Sequence, residues 1–410
     1  MNFQSITTLD KICVIGISIG LVMVGWTGLQ TRLLYFVIAL ISILVFLSRI
    51  FRKSIASGVR CWILCISILI STVVPIFLYD GELSRLSSTG NSSLSTLFDL
   101  TKYFPYTNLE ELIKFNFESA FKWILAIVVF RTICSHFTSE DYMIRNFLIR
   151  SWIFGVLVNV IVQIFQFLNI FPIFEIFSYD YHVFNNRFPG LSDHPNTISI
   201  IVCLSVPLLY FSGLKTWYRK YFVIVFLISQ ILAQSRIGIV TFSLTLILCN
   251  WSILRKKFFY IAILCFVAIL LWLLYKMDLF NSFIDSSRFN SSNIESQKSN
   301  LGRWTLMNFG LTSFFENPFF GVGPRAFKES HNIYIQVLAS LGIFGLVGLF
   351  DFLIRPLFLK TEVKSESNFA RICIFSFMFF GLFNNKLVDF YLYFPLMISL
   401  QVLKNSKIGR

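Results

Sequence analysis

Apolar runs long enough to cross a bilayer recur along the whole chain, and most charged residues fall in the gaps between them. A helix needs about 20 mostly apolar residues to cross the hydrocarbon core. The pattern therefore predicts an all-α, polytopic membrane protein with about 12 transmembrane helices in a single transmembrane domain, 1–410. The predicted spans are 11–29, 33–49, 60–78, 118–136, 149–170, 196–213, 219–234, 237–253, 258–276, 332–354, 370–384 and 387–403.

The composition agrees with a membrane protein. Hydrophobic residues make up 56% of the 410 residues and charged residues only 14%, whereas a soluble domain carries about 25% charged residues. The chain therefore lacks the polar residues needed to cover a water-facing surface. We expect no cleavable signal peptide, because the first apolar run lacks a basic leader and a small-residue cleavage site.

The net charge of +14 is distributed unevenly along the chain. Basic clusters at 51–53, 255–257 and 404–410 fall on one side of the predicted membrane. The positive-inside rule makes that side cytoplasmic, so both termini are predicted to be cytoplasmic. Membrane orientation thus explains the basic excess, and we expect no nucleic-acid binding.

Three longer segments then lie on the outer side, at 79–117, 171–195 and 277–331. The last two contain many of the unusual polar residues of that face, so function is expected there. The eight cysteines lie within predicted spans or at their cytoplasmic ends, and we expect no disulfide framework. The sequence has no CxxC or HExxH pattern, so no metal site is expected either.

The stretch 187–196 leads into one of the predicted spans. Pro195 and Asn196 are typical of a helix start, so His194 and Asn196 can be explained as capping residues. Arg187 is harder to explain in this way, because a guanidinium beside a helix N-terminus forms an anion site.

Gln234, Ser235 and Arg236 interrupt an apolar stretch of roughly 31 residues, which is too long for one span. We predict two short helices joined by a turn at 234–236, slightly below the outer surface. A charge inside the membrane is costly unless it faces water, a partner or a ligand. Arg236 is therefore interpreted either as an arginine that reaches the lipid headgroups or as one that holds an anionic ligand.

Apolar residues recur at helical spacing from Arg303 to Phe315. This spacing predicts a short amphipathic helix in the interface of the outer leaflet, with Arg303 near its N-terminal end. The Asn-Pro pair at 317–318 is expected to end that helix, and 321–324 to form a tight turn. The Gly-x-Gly sequence of this turn is by itself only a weak signal of phosphate binding. Arg325 adds a positive charge beside it.

His331 and Asn332 stand where the predicted span 332–354 begins. A histidine there can cap or anchor a helix. The three glycines within 342–348 allow close helix packing, which would hold His331 in a fixed place. A neutral imidazole at a water-accessible membrane surface is also suited to act as a general base near neutral pH.

Arg187, Arg236 and Arg303 are thus all predicted near the outer interface, together with one histidine. Arginine binds phosphate bidentately and stays charged at any relevant pH. The set therefore suits a substrate that carries a diphosphate and an acceptor hydroxyl, and it can stabilise the diphosphate as it leaves.

The order of these motifs resembles that of the O-antigen ligase and O-antigen polymerase superfamily. The resemblance rests on RFPGLSDHPN, QSR, GRW, ENPFFGVGP and HNIYIQVLASLGIFGL, and it covers 185–350. It implies a C-type glycosyltransferase on the periplasmic face of the bacterial inner membrane. The implied donor is a glycan on undecaprenyl diphosphate, and no metal or nucleotide sugar takes part.

The resemblance also assigns roles to residues of the matching motifs. Arg236 and Arg303 would bind the donor diphosphate, and His331 would activate the acceptor hydroxyl in a reaction that inverts the anomeric carbon. The implied partners are membrane lipids and, from the same pathway, a flippase and a chain-length regulator. Supporting roles are expected for Arg187, His194, Asn196, Arg325 and Asn332.

Members of this superfamily differ in their acceptor. A polymerase joins one lipid-linked repeat to another, whereas a ligase moves the finished glycan to lipid A-core. RFPGLSDHPN and HNIYIQ are slightly closer to polymerase-like members. An O-antigen polymerase is therefore favoured, with the ligase, another lipid-linked polysaccharide polymerase and a non-enzyme as alternatives. A flippase is disfavoured, because its charged residues would line the membrane midplane.

Overall fold

The computed structural model describes residues 8–23, 61–78, 109–137, 142–172, 187–251, 294–324, 330–358, 364–384, 389 and 392–405. Within these residues all the regular structure is helical, as the sequence predicts. The helices are α1 (Thr8–Met23), α2 (Trp62–Leu78), α3 (Leu109–Phe137), α4 (Tyr142–Phe167), α5 (Pro195–Phe211), α6 (Thr216–Ala233), α7 (Arg236–Cys249), α8 (Ile294–Glu316), α9 (Ile333–Leu353), a 3-10 helix (Arg355–Phe358), α10 (Lys364–Gly381) and α11 (Tyr393–Asn405).

The predicted spans overlap these helices, except for 33–49 and 258–276, which lie outside the described residues. Among the described helices, two are both long and apolar enough to cross a membrane, Tyr142–Phe167 and Ile333–Phe358. The number of about 12 spans therefore stays a prediction. Shorter apolar helices cover Lys11–Met23, Trp62–Val73, Pro195–Phe211 and Arg236–Cys249.

The chain forms two compact units. The first contains α1, α4 to α7 and nearly all of α10, and the second contains α2, α3, most of α8, α9 and α11. The three predicted outer segments are described only in part, at 109–117, 171–172, 187–195, 294–324 and 330–331.

Helix α5 is the core of the first unit, because every residue in it except Tyr210 is buried. Helices α4, α6 and α7 pack around it, and α1 lies against α4. A helix that is apolar all round is typical of a protein interior, and the hydroxyl and carbonyl groups of α5 bind its neighbours. Trp152 Nε1 of α4 donates to Ser205 Oγ at 2.9 Å. Gln230 of α6 donates to the carbonyl of Ser199 at 2.9 Å.

Helix α9 of the second unit lies along α2 and is broken in its middle. Gly342 has φ 65° and ψ −161°, which no helix contains. The segment 318–323 lies against this break and supplies partners for the backbone groups that the break would leave without one. The hydrogen bonds are Val322 N–H to Ala339 O (2.9 Å), Gly323 N–H to Ser340 O (3.0 Å), Ile343 N–H to Pro318 O (2.8 Å) and Phe344 N–H to Phe319 O (3.5 Å).

The glycines of α9 do not form the single packing surface that the sequence suggested. A side chain at Gly342 would overlap the backbone of Phe319, and one at Gly345 would overlap Leu341 of the same helix. Only Gly348 faces a neighbouring helix, where a Cβ would come within 2.8 Å of the Cα of Leu64 in α2. Gly342 thus allows the break in α9, and Gly348 allows α9 to pack closely against α2.

We expect Gly342→Ala to lower the melting temperature of the purified protein. The φ and ψ of Gly342 lie in a region that is essentially restricted to glycine, so alanine costs about 1–3 kcal/mol in backbone strain, and the overlap with Phe319 adds to this. Val347→Ala is the control, because Val347 is 51% exposed on the same helix. Equal melting temperatures for the two variants, measured in detergent, would contradict the break at Gly342.

Candidate functional site

Arg187 braces two chain segments of the first unit. Its Nε donates to the carbonyl of Ala233 at 3.0 Å, and its Nη2 donates to Asn196 Oδ1 at 2.9 Å. The side chain thereby links the start of α5 to the end of α6. Arg187 is only 3% exposed, so this placement favours a supporting role over a freely accessible anion site.

His194 is the N-cap of α5. Its Nδ1 accepts the backbone N–H of Asn196 at 3.0 Å, and Pro195 occupies the first turn. The capping interpretation of His194 fits this geometry, because an N-cap acceptor satisfies a backbone donor at the helix start. Asn196 uses its side chain to accept from Arg187, so it positions Arg187.

Gln234 and Ser235 separate α6 from α7, within the turn that the sequence predicts at 234–236. Gln234 is left-handed with φ 47°, and Ser235 is the N-cap of α7, whose Oγ accepts the N–H of Gly238 at 3.2 Å. Arg236 is the first residue of α7, and it is exposed. Its charge adds to the positive end of the helix macrodipole, so this turn favours an anion.

Three buried side-chain amides of α4 were not singled out from the sequence. Asn159, Gln163 and Gln166 lie at i, i+4 and i+7 on one helix face and contact the loop 187–192. The sequence does contain a signal for them, because three amide side chains at helical spacing are unusual in an apolar span. The bonds are Asn159 Nδ2 to Ser192 Oγ (2.8 Å), Leu191 N–H to Asn159 Oδ1 (2.8 Å), Gln163 Nε2 to Phe188 O (2.7 Å), Gln166 Nε2 to Gly190 O (3.0 Å) and Gly190 N–H to Gln166 Oε1 (2.9 Å).

Asn332 is the N-cap of α9 in the second unit. Its Oδ1 accepts the N–H groups of Tyr334 at 2.9 Å and of Ile335 at 3.1 Å. Its Nδ2 donates to the carbonyl of Leu382 at 2.9 Å. Asn332 therefore fixes the start of α9 and ties it to the residue that follows α10.

His331 directly precedes this cap and has φ 53°, a left-handed conformation that is uncommon outside glycine. Hydrogen bonds on both sides hold it there. The N–H of Ser330 donates to Gln336 Oε1 at 2.8 Å, and Ser330 Oγ donates to the carbonyl of Asn332 at 2.7 Å. The half-buried imidazole of His331 therefore lies just before the N-terminus of α9, on a constrained backbone. Backbone strain of this kind motivates a functional hypothesis for the residue.

Arg303 lies in α8, where it is half-buried. The helix predicted from Arg303 onwards is present, but it begins earlier, at Ile294, and it ends at Glu316 directly before the Asn-Pro pair. Two large apolar side chains of α8 are exposed, Trp304 at 62% and Phe315 at 75%. The placement of α8 in the membrane interface stays a prediction.

The Gly-x-Gly turn is part of the loop that fills the break in α9. The N–H of Gly321 donates to the carbonyl of Asn317 at 3.0 Å, and those of Val322 and Gly323 donate to α9. All three amides are therefore occupied within the protein, which argues against a phosphate cradle at this turn. Arg325 lies outside the described residues.

Asn332→Ala is expected to destabilise the protein by about 1–2 kcal/mol through loss of the cap, with a further cost from the bond to Leu382. Asn332→Asp keeps the acceptor at the cap and loses only the donor to Leu382, so an intermediate melting temperature is expected. If Asn332→Ala and Asn332→Asp both had the melting temperature of the parent protein, the cap would contribute nothing to stability.

The first unit brings Arg187 and Asn196 next to the turn that carries Arg236, and the second unit contains Arg303 and His331. In the part of the chain that the structure describes, no group of three or more His, Cys, Asp or Glu side chains is placed to hold a metal ion.

Residues 221–350 match a protein-family model described as O-antigen ligase. The match covers about a third of the chain and contains QSR, GRW, ENPFFGVGP and the His-Asn pair. The resemblance to the O-antigen ligase and polymerase superfamily is therefore confirmed over this segment, while Arg187, His194 and Asn196 precede it. The chain has no significant match among curated proteins.

Proposed function

We propose that the chain is an inner-membrane glycosyltransferase that polymerises undecaprenyl-diphosphate-linked O-antigen repeats on the periplasmic face. The observation that carries this proposal is the match of 221–350 to the O-antigen ligase family. The family indicates a function of the ligase or polymerase type, and the matched segment contains Arg236, Arg303 and His331. The likeness of RFPGLSDHPN and HNIYIQ to polymerase-like members favours the polymerase.

Arg236 and Arg303 bind the donor diphosphate in this proposal. A guanidinium pairs bidentately with phosphate oxygens, and Arg236 stands at a helix N-terminus, where the backbone also favours negative charge. The negative charge on the diphosphate increases as the bond to the sugar breaks. Positive groups already in place then stabilise the leaving group without reorganisation.

His331 acts as the general base. An imidazole nitrogen takes the proton of an acceptor hydroxyl while the hydroxyl oxygen attacks the anomeric carbon on the face opposite the diphosphate. The new glycosidic bond forms, the bond from carbon to phosphate oxygen breaks, and undecaprenyl diphosphate leaves with the electron pair. Displacement from the opposite face inverts the anomeric configuration. The constrained backbone at His331 supports a fixed position for the base.

Helix α8 rests in the outer interface of the membrane in this proposal. Its exposed Trp304 and Phe315 are suited to the boundary between headgroups and acyl chains, and Arg303 next to Trp304 would then lie at the depth of a lipid-linked diphosphate. A flippase and a chain-length regulator of the same pathway are the expected partners.

The second candidate is the ligase, in which the same donor is transferred to lipid A-core. The matching family, which is described as O-antigen ligase, favours it. Both reactions use the same donor chemistry and differ only in the hydroxyl that attacks.

Deleting the gene in its host and separating the lipopolysaccharide on a gel distinguishes these functions. A core that carries a single repeat would support the polymerase. A bare core, with polymer accumulating on undecaprenyl diphosphate, would support the ligase. Unchanged lipopolysaccharide would contradict both.

A further inference from the structure

We propose that Arg187 and the three amides of α4 are positioning residues that act through the turn at 234–236 on Arg236. This role rests on the proposed function, in which Arg236 binds the donor diphosphate. The structural part concerns only the first unit, and it can be tested without any substrate.

The loop 187–192 is fixed on α4 by amides whose donor and acceptor groups are both used. Gln166 exchanges two hydrogen bonds with the backbone of Gly190. A side chain at Gly190, which has φ 65°, would overlap Asn159, so the loop lies directly on the helix. The NH2 group and the carbonyl oxygen of each amide both form hydrogen bonds. These bonds fix the position of the loop against α4.

The same loop holds the end of α6. The N–H of Phe188 donates to the carbonyl of Leu232 at 3.1 Å, and Arg187 Nε donates to the next carbonyl, that of Ala233. The last carbonyls of a helix have no partner within the helix, so the loop supplies two of these missing donors. Gln163 adds a third link, because its Oε1 accepts from Ser229 Oγ of α6 at 2.5 Å.

Arg236 stands only three residues beyond the carbonyl that Arg187 holds. On its other side, Gly238 lies so close to α5 and α6 that a Cβ would come within 2.8 Å of the side chain of Ser199. The backbone of the turn is therefore held from both directions, although the Arg236 side chain is exposed. Position matters here, because a shift of about 1 Å in a catalytic site can cost 10²-fold in rate.

Hydrogen exchange tests the structural part directly. The amides of Gln234, Gly238 and Ile239 are hydrogen-bonded within the turn and the first turn of α7, so they should exchange slowly in the parent protein. Arg187→Met keeps an unbranched apolar stem and removes the donors of the guanidinium, and we expect exchange at 234–239 to become at least about tenfold faster.

Ser205→Ala is the matched control for this measurement. It also removes one buried hydrogen bond between α4 and α5, that from Trp152, but it touches neither the loop nor the turn. Exchange at 234–239 should remain at the parent rate in this variant. If Arg187→Met fails to insert, Gln163→Met replaces it, since it removes the bonds to Phe188 and Ser229.

A double-mutant cycle tests whether Arg187 acts through Arg236. Arg236→Lys keeps a charge and should retain measurable transfer, with a higher KM for the lipid-linked donor. If Arg187 only positions Arg236, then Arg187→Met should lower kcat/KM about tenfold in the parent and much less in the Arg236→Lys background, since coupled residues are not additive. Arg187→Lys should restore part of the loss.

Unchanged exchange at 234–239 in both Arg187→Met and Gln163→Met would overturn the positioning role. The positioning role would also be overturned if the loss of kcat/KM in the double variant equalled the product of the losses in Arg187→Met and Arg236→Lys. The proposed function fails in a different way, because full transfer by Arg236→Ala would remove Arg236 from the site. In that case exchange at 234–239 still decides whether Arg187 holds the turn.

Discussion

His331→Ala is expected to abolish glycan transfer while the protein still inserts into the membrane. General-base catalysis contributes about 10²–10⁴-fold to a rate, and the proposed reaction assigns this role to His331 alone. Alanine leaves the cap at Asn332 and its bonds to Tyr334 and Ile335 in place. The expected signature is therefore a large loss of kcat in a protein with a nearly unchanged melting temperature.

His136→Ala is the matched control for the loss of a histidine. His136 lies in the last turn of α3, which is predicted to be at the cytoplasmic surface, and we expect this variant to make long-chain polysaccharide at the parent level. Normal chains in His331→Ala, measured by complementation of the deletion strain, would remove His331 from the chemistry.

Arg236→Ala and Arg303→Ala are each expected to lower kcat/KM by about 10²–10³-fold, the loss typical of one group that stabilises developing charge. Lysine at either position keeps the charge and loses the bidentate geometry, so partial activity is expected. The measurement is the initial rate of transfer as a function of lipid-linked donor concentration, which separates effects on KM from effects on kcat.

Arg355→Ala is the control for the two arginine variants. Arg355 pairs with Asp351 at 2.9 Å on an exposed surface, four residues along the chain, and such a pair contributes little to stability. Transfer by this variant should equal that of the parent. Parent-like kcat/KM in both Arg236→Ala and Arg303→Ala would show that the diphosphate is bound elsewhere.

Local sequence patterns were sufficient wherever the determining contacts are local. The cap at His194 involves residues two positions apart, and the turn at 234–236 follows from polar residues in an apolar stretch. The end of α8 before an Asn-Pro pair is another local signal. Such features depend on backbone donors and on side chains that lie close together in sequence, so they could be predicted.

Features that depend on distant partners could not be predicted in this way. The break in α9 needs the segment 318–323 as a partner, and without it Gly342 looks like an ordinary packing glycine. Arg187 finds its acceptor at Ala233, which lies 46 residues along the chain. The amides of α4 were visible as a pattern, but only the loop 187–192 explains their use.

The most direct test of the central claim is transfer by the purified protein in liposomes. The donor would be a defined O-antigen repeat on a polyprenyl diphosphate, and the products would be separated by size and compared with those of His331→Ala. The predicted result is chains of more than one repeat on the lipid carrier, with release of polyprenyl diphosphate, in the parent protein and not in His331→Ala. Equal products from the two proteins, or no chain longer than one repeat from the parent protein, would contradict the account.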